Sequence, residues 1–578
     1  NHDTGVPAIE RRADAGVKLT NARRRLRLIR LGFAVEWEEE PFEWIRPFRF
    51  GVMRRYLTGP ITTMRVLVEL APIADGSRLI YQVWAQPRNW FGLIAIPVQI
   101  GVLSAHSFDT TIRRYDQMTA RSISAIMQPA NAHFAPGGRE RLASLRDALL
   151  AQGASAALVG RLVETIETAD EFTLAQLRPY ALADLWQASR RSVLELCLMA
   201  TRAGLLEFRW KLLCPLCRGA QESSTALRDL KSQVHCESCN IDFTANFERS
   251  VELTFRPSPA VREIEASEFC VGGPQITPHI VAQQILPAGA QRRVTLALET
   301  GRYRLRTIEL AGGQYLTVAK NGSANAIFRA EANGWPDHEI SLSTQPELHF
   351  ENATPREQLF ILERMTWSDQ AVTAAEVIAL QLFRDLFASE ALRPGEEFSV
   401  GSLAIVFTDL RGSTKLYREI GDAVAFGCVL NHFDILKEAI ATEGGAVVKT
   451  IGDAVMAVFR RPVSALRALL AAQQKLASPA DGSRPLPLKA GVHYGPCIAV
   501  TLNDRLDYFG STINIAARLE GQSSGNNIII STPVRNDPEV IVWLEQHTES
   551  IRLESLETQL KGFDEQKFAL WRLAQRRV

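Results

Sequence analysis

The sequence predicts a multidomain α+β chain, and three observations carry that prediction. Its 578 residues amount to about four domains at roughly 150 residues each. Hydrophobic residues at 46% and charged residues at 22% are globular values, which exclude a disordered or collagen-like chain. The apolar spacing switches along the chain between the strand period of two and the helical period, and the last stretch runs through both in the order βαββαβ. The charge balance of +1 excludes a global field for nucleic acid or an acidic membrane.

The elements follow in order. The opening residues, NHDTGVPAIERRADAG, are polar and show no signal-peptide pattern. RRRLRLIR (23–30) interleaves basic and apolar residues. It is expected as an exposed helix face, with a membrane-surface or partner helix as the other reading. TMRVLVEL (63–70) and RLIYQVWAQ (78–86) alternate apolar and polar residues across an ADGS turn, which predicts antiparallel strands with one buried face. WFGLIAIPVQIGVLS (90–104) is shorter than the ~18 apolar residues of a spanning helix and holds Pro97. It is expected as a core or amphipathic segment, so a soluble chain with no transmembrane segment is expected. The stretch WEEEPFEWIRPFRFGVMRRYLTGP with these strands and the apolar run resembles a START-like (SRPBCC) domain over 1–107. That resemblance implies an apolar small ligand held between sheet and helix, or a protein regulator. Trp44, Phe48, Phe50 and Trp84 read equally as packed core.

Residues 108–212 repeat apolar residues at helical spacing and end in a strand, LLEFRWKLL, a winged-helix-like pattern. The helix around Arg190 and Arg191 carries few base-reading side chains, which favours interaction over DNA. CPLC (214–217) and CESC (236–239) are 18 residues apart, the spacing of a zinc ribbon over 213–250. Cys214, Cys217, Cys236 and Cys239 would enclose a structural Zn²⁺, since four thiolates leave no position open to substrate. Paired CxxC knuckles also suit a reducing compartment, hence a cytoplasmic chain. Cys197, Cys270, Cys428 and Cys497 are expected as small core residues. Short strands between Gly, Pro, Asn and Asp turns predict a β-sandwich-like domain over 251–366. AVTAAEVIALQLFRDLFAS (371–389) predicts one helix within a 367–397 linker. Val372, Ala375, Ala379, Leu382 and Leu386 form a heptad seam that suits a parallel pair of transducing helices, or an ordinary amphipathic helix packed on its own chain.

The chemistry gathers in residues 398–578. A buried-looking strand, SLAIVFTD, precedes LRGST and a helix. AVVKT, the turn IGD and AVMAVF follow, then a helix and the strand LKAGVH. This is the ferredoxin-like split unit, whose first and third strands can be neighbours. Asp409 ends the first strand and Asp453 sits on the hairpin that starts the third. Two hard carboxylates at one end of a sheet suit Mg²⁺ or Mn²⁺ with substrate phosphates. An aspartate at a turn is common; one directly after an apolar strand is not so easily explained.

LAIVFTDLRGST, VVKTIGDAVMAVF, LKAGVHYG, LDYFGSTINIAARLE and LKGF, in this order, resemble the catalytic domain of class III nucleotidyl cyclases. The resemblance implies a head-to-tail homodimer with two composite sites, each turning a nucleoside triphosphate into the 3′,5′-cyclic monophosphate and pyrophosphate. By position it implies Asp409, Asp453 and the Leu410 carbonyl as metal ligands, and Lys449 and Asp507 as purine readers. Asn514 would orient the ribose and Arg518 stabilise the transition state. Lys561, and less directly Lys489, would bind phosphate. FTDLRGST departs from many relatives, with Ser413 in place of Phe and Arg411 before the glycine.

Independent chemistry agrees. Asn514 and Arg518, four apart in a helical pattern, share a face. A lysine donor beside an aspartate acceptor matches adenine N1 and N6, whereas guanine presents the reverse polarity there. ATP is therefore expected over GTP. A guanylate cyclase, or a regulatory or nucleic-acid-binding protein with a silent cyclase domain, are the rival readings.

Overall fold

The structure, a computed structural model, describes residues 10–11, 24–30, 33–74, 76–120, 134–215, 220–236, 241–248, 250–264, 279–310, 312–336, 338–365, 370–388, 390, 392–393, 396–479, 484–563 and 566–576.

The basic run near the start is a strand, not a helix. Arg24–Arg30 pairs antiparallel with Phe33–Glu39, which sets Arg25 opposite Glu38 and Arg27 opposite Glu36. Leu26 is buried beside Trp37, while Arg25 reaches Glu36 at 3.3 Å. The period-two alternation within RRLRLIR and the facing glutamates decide this, and Glu36 offsets Arg25 locally.

Strands on both sides of the helical region belong to one sheet of thirteen strands. Glu43–Ile45 joins Ile280–Leu286, with Ile45 opposite Ala282. Trp44 Nε1 donates to Ile280 O at 3.1 Å. Phe42, Trp44, Val52 and Val66 share a core with Ile280 and Ile361. Segments 1–107 and 251–366, expected as separate START-like and sandwich domains, are thus joined by hydrogen bonds. Only tertiary pairing could reveal that, because the partners lie more than 200 residues apart.

The apolar run is also longer than its sequence suggested. Helical winding continues from Trp90 to Ala120, with a π-helical stretch at Pro97–Ser104. Trp90–Gln117 is one helix long and apolar enough to cross a membrane, and it is almost wholly exposed. The sequence reading ended this segment at Ser104, and the structure extends it. Pro97 starts the π-helical stretch, so it ends neither the helix nor the apolar face. A single crossing is nevertheless incompatible with the sheet, whose hydrogen-bonded strands precede and follow this helix.

Five helices between Gly138 and Ala203 lead to strand Leu206–Leu213, with Gly204 capping the last helix at φ +88°. That strand pairs with Val251–Pro257, which pairs in turn with Val372–Thr373. The 371–389 segment is not one helix. It consists of that short strand, a helix Ala374–Ile378, a break at Ala379–Leu380 and a helix Gln381–Leu386. Of the proposed seam, Val372, Ala375 and Ala379 are buried in the chain's own core. They pack on upstream helices and strands, which leaves no seam for a parallel helix pair.

The C-terminal domain follows the predicted order. Phe398–Leu410 lies between Ala454–Phe459 and Leu488–Leu502, with Ala446–Ile451 at the outer edge. The first and third strands are neighbours, as the split unit requires. Helices Asp422–Thr442 and Pro462–Ala477 cover one face of the sheet. On the other face Leu403, Ile405, Met456 and Val458 merge with Trp210, Phe247, Leu253 and Phe383 in a single core. Upstream chain therefore packs directly against the catalytic sheet.

Candidate active site

Local sequence sets the two aspartates. Thr408 pairs with Val455, so Asp409 emerges beside the hairpin that joins Ala446–Ile451 to Ala454–Phe459. That hairpin has two loop residues, and Gly452 takes the first at φ +65°. A two-residue hairpin with a left-handed first position calls for glycine there, and it sets Asp453 at the same sheet end as Asp409. On the far side of Asp409, Gly412 at φ +77° turns the chain into helix Ser413–Ile420. Arg411, one of the departures noted above, ties this loop to Ser524 O at 2.8 Å.

Burial and the adjacent Asp453 carboxylate hold the Asp409 carboxyl above the usual range, against the pull of Lys489. Lys489 sits directly across the strand pair from Asp409. Its ammonium lies 3.2 Å from Asp409 and 3.3 Å from Glu520. Burial alone would lower the Lys489 pKa, but Glu520 and Asp409 outweigh it and raise it. Burial raises Glu520 as well. Glu520 was not foreseen from the sequence. It reaches the site only because helix Ser511–Glu520 folds back on strand Leu488–Leu502, and no local signal announces that.

Asp453 Oδ2 is buried with no hydrogen-bond partner, a costly state for a carboxylate oxygen. Two hard carboxylates, one of them orphaned, fit Mg²⁺ or Mn²⁺. Among the described residues no group of three or more His, Cys, Asp and Glu side chains could hold a metal. The pair would therefore share an ion with oxygens from elsewhere, as Mg²⁺ does with substrate phosphates. Leu410, the predicted carbonyl ligand, is a buried strand residue beside them.

The two residues expected to read the purine also meet. Lys449 Nζ lies 2.5 Å from Asp507 Oδ2, and Asp507 Oδ1 accepts the Tyr508 N–H at 2.8 Å. Asn514 and Arg518 are exposed on one face of helix Ser511–Glu520, without a hydrogen bond or ion pair among the described residues. Lys561 is exposed in the turn after strand Ile551–Gln559. The structure brings Lys561, Asn514 and Arg518 into no contact with the aspartates within one chain.

The zinc prediction falls largely outside the described residues. Cys217 and Cys239 are not described, Cys236 only by its backbone opposite Ile241, and Cys214 is buried. Among the described residues no cysteine cluster supports a metal.

Two carboxylates at one strand end, a lysine–aspartate pair and a helix presenting Asn and Arg make up the candidate site. Residues 396–571 match the family model described as adenylate and guanylate cyclase catalytic domain, and this part of the chain is such a domain. Residues 142–272 match a family of unknown function, DUF5939. An adenylate cyclase of Lachancea kluyveri is 35% identical over 163 residues, 24% of this chain and 9% of that protein. Adenylate cyclase 1 of Rhizobium meliloti is 28% identical over 147 residues, 22% of each. The matches thus span under a quarter of these relatives' length. Among solved structures, the adenylyl cyclase CyaB from P. aeruginosa is 23% identical, with a TM-score of 0.27, over 32% of this chain and 97% of that one.

Proposed function

We propose that the chain is an adenylate cyclase that converts ATP to 3′,5′-cyclic AMP and pyrophosphate. The observation that carries this is the contact of Lys449 with Asp507, in the domain where Asp409 and Asp453 share one strand end. Adenine offers an acceptor beside a donor, which a lysine and an aspartate complement; guanine would leave both mismatched.

In this reading the sites are composite. Asp409, Asp453 and the Leu410 carbonyl come from one protomer. Lys449, Asp507, Asn514, Arg518 and Lys561 come from its partner. The exposure of Asn514 and Arg518, with no hydrogen-bond or ion-pair partner among the described residues, supports that division. Two divalent ions held by the aspartates would supply acidity to the ribose 3′-oxygen and offset phosphate charge. Asn514 holds the ribose so that its 3′-oxygen lines up with the α-phosphorus. The new O3′–P bond forms as the bond to the β-phosphate oxygen breaks, and the hydroxyl proton leaves. Arg518, a rigid fork that stays charged, binds the charge growing on the α-phosphate. Lys561 and Lys489 neutralise the departing pyrophosphate. Glu520 keeps Lys489 at the site when an ion claims Asp409.

The upstream half is read as a cytoplasmic sensory region, responsive to an apolar ligand or a protein, with a structural Zn²⁺ on the four knuckle cysteines. Its core, continuous with the catalytic sheet, supports a coupling role. The full chain, given ATP or GTP with Mn²⁺ or Mg²⁺ and assayed by product mass, should yield cyclic AMP and prefer ATP. No cyclic product, or a preference for GTP, overturns the reading.

A further inference from the structure

The two purine readers sit on the two least supported strands of the catalytic sheet. Ala446–Ile451, which carries Lys449, is an outer edge strand. Arg505–Phe509, which carries Asp507, pairs only with the end of Leu488–Leu502. Edge strands lack a second neighbour and are free to shift register or fray.

Both are held from outside the domain by one short helix, Gln381–Leu386. Val447 N–H donates to Gln381 Oε1 at 2.7 Å. That bond falls at a bulge, because the pairing with Ala454–Phe459 shifts register between Val447 and Lys449. A bulge re-aims the side chain that follows it, and here that side chain is Lys449. Gln381 is itself fixed, since its amide donates to Asp385 at 2.9 Å and Asp385 lies 3.0 Å from Lys437. One turn along, Arg384 Nη1 donates to Leu506 O at 3.1 Å, and its guanidinium stacks 5.2 Å from the centre of the Tyr508 ring. These are the residues on either side of Asp507. Tyr508 Oη in turn donates to Ile378 O at 3.4 Å.

We propose that Gln381 and Arg384 are positioning residues for base selection. Gln381 fixes the bulge that aims Lys449, and Arg384 clamps the strand that aims Asp507. Neither needs to touch nucleotide. The inference rests on the cyclase reading and adds what sets the geometry of its base pocket: a segment upstream of the catalytic domain.

The test uses the full chain. Gln381→Met keeps the side-chain length and removes the acceptor; Arg384→Met removes the clamp. Each is expected to raise KM for ATP about threefold to thirtyfold and to lower the ATP:GTP ratio of kcat/KM by a similar factor, with a smaller effect on kcat. A merely structural role would reduce the active fraction for both nucleotides alike, leaving KM and the ratio in place. If Gln381→Met does not fold, Arg384→Lys, which keeps the charge but loses the fork, carries the same measurement. Unchanged KM and ATP:GTP ratio in folded variants overturn the proposal while the wild-type cyclase stands. A wild-type chain that makes no cyclic nucleotide overturns both.

Discussion

The proposed metal end and the proposed purine end of the site are built differently. Asp409 ends a central strand and Asp453 sits in the turn that opens another, and each of these strands is paired on both sides by strands of the catalytic domain. Lys449 and Asp507 rest on peripheral strands whose free sides are held by Gln381 and Arg384, upstream of that domain. Central strands take hydrogen bonds from neighbours on both sides, while one face of them shares a core with upstream chain. Peripheral strands borrow their rigidity, and so can be tuned by whatever moves the element that supplies it. In the proposed reading, the metal-binding carboxylates take their backbone pairing from the domain, whereas base recognition also draws on upstream chain.

This contrast can be broken or sharpened in order of expected effect. Asp409→Ala or Asp453→Ala should reduce cyclic AMP formation about a thousandfold or more, because the charge stabilisation at the reacting phosphate goes with them. Substantial activity in either variant, measured by product mass, would remove the metal end altogether. Arg518→Ala should lose about a hundredfold to a thousandfold. Mixed with an Asp409→Ala chain, it should regain activity at one intact site per heterodimer. A mixture that stays inactive while both chains dimerise would deny composite sites.

Lys449→Ala acts at the other end. It should lower the ATP:GTP preference by about tenfold or more, since only one of two polar matches is left. Competing nucleotides at saturating Mn²⁺ would show it, and an unchanged ratio would move base recognition elsewhere. The smallest effect concerns stability. Burial and Asp453 hold the Asp409 pKa above its ordinary value. The ionised form is thus disfavoured in the fold. The native advantage is complete below the unfolded pKa and is lost as pH rises through the folded one. Without metal, Asp409→Asn should therefore melt a few degrees above wild type near neutrality, with the gain vanishing in acid. Added Mn²⁺ should reverse the order by stabilising only the wild type. A gain independent of pH would mean that the two carboxylates do not repel.

Legibility differed with the range of the interactions. The βαββαβ order and the IGD turn were readable because each follows from short segments with fixed backbone demands, and the Lys449–Asp507 pairing was implied by the family resemblance. The strand at Arg24–Arg30 was misread as helix although its alternation is present in RRLRLIR, since its stabilising glutamates lie on another strand. The apolar run 90–104 proved to be the first part of a longer helix, because the more polar residues after Ser104 continue its winding. The heptad spacing at 372–386 was real but misleading. Tertiary burial broke that helix at Ala379–Leu380 and used its apolar residues in the chain's own core. Glu520, Gln381 and Arg384 gave no signal, as a side chain that serves a distant strand obeys no local period.

The sequence by itself determined the kind of chemistry: which residues carry charge, where a turn demands glycine, and in what order strands and helices alternate. These are properties of neighbours along the chain. Only the tertiary structure decided which strands stand at an edge, which side chain props each of them, and that two distant segments close one thirteen-stranded sheet. Burial and backbone pairing depend on what is nearby in space, and spacing along the chain does not encode that.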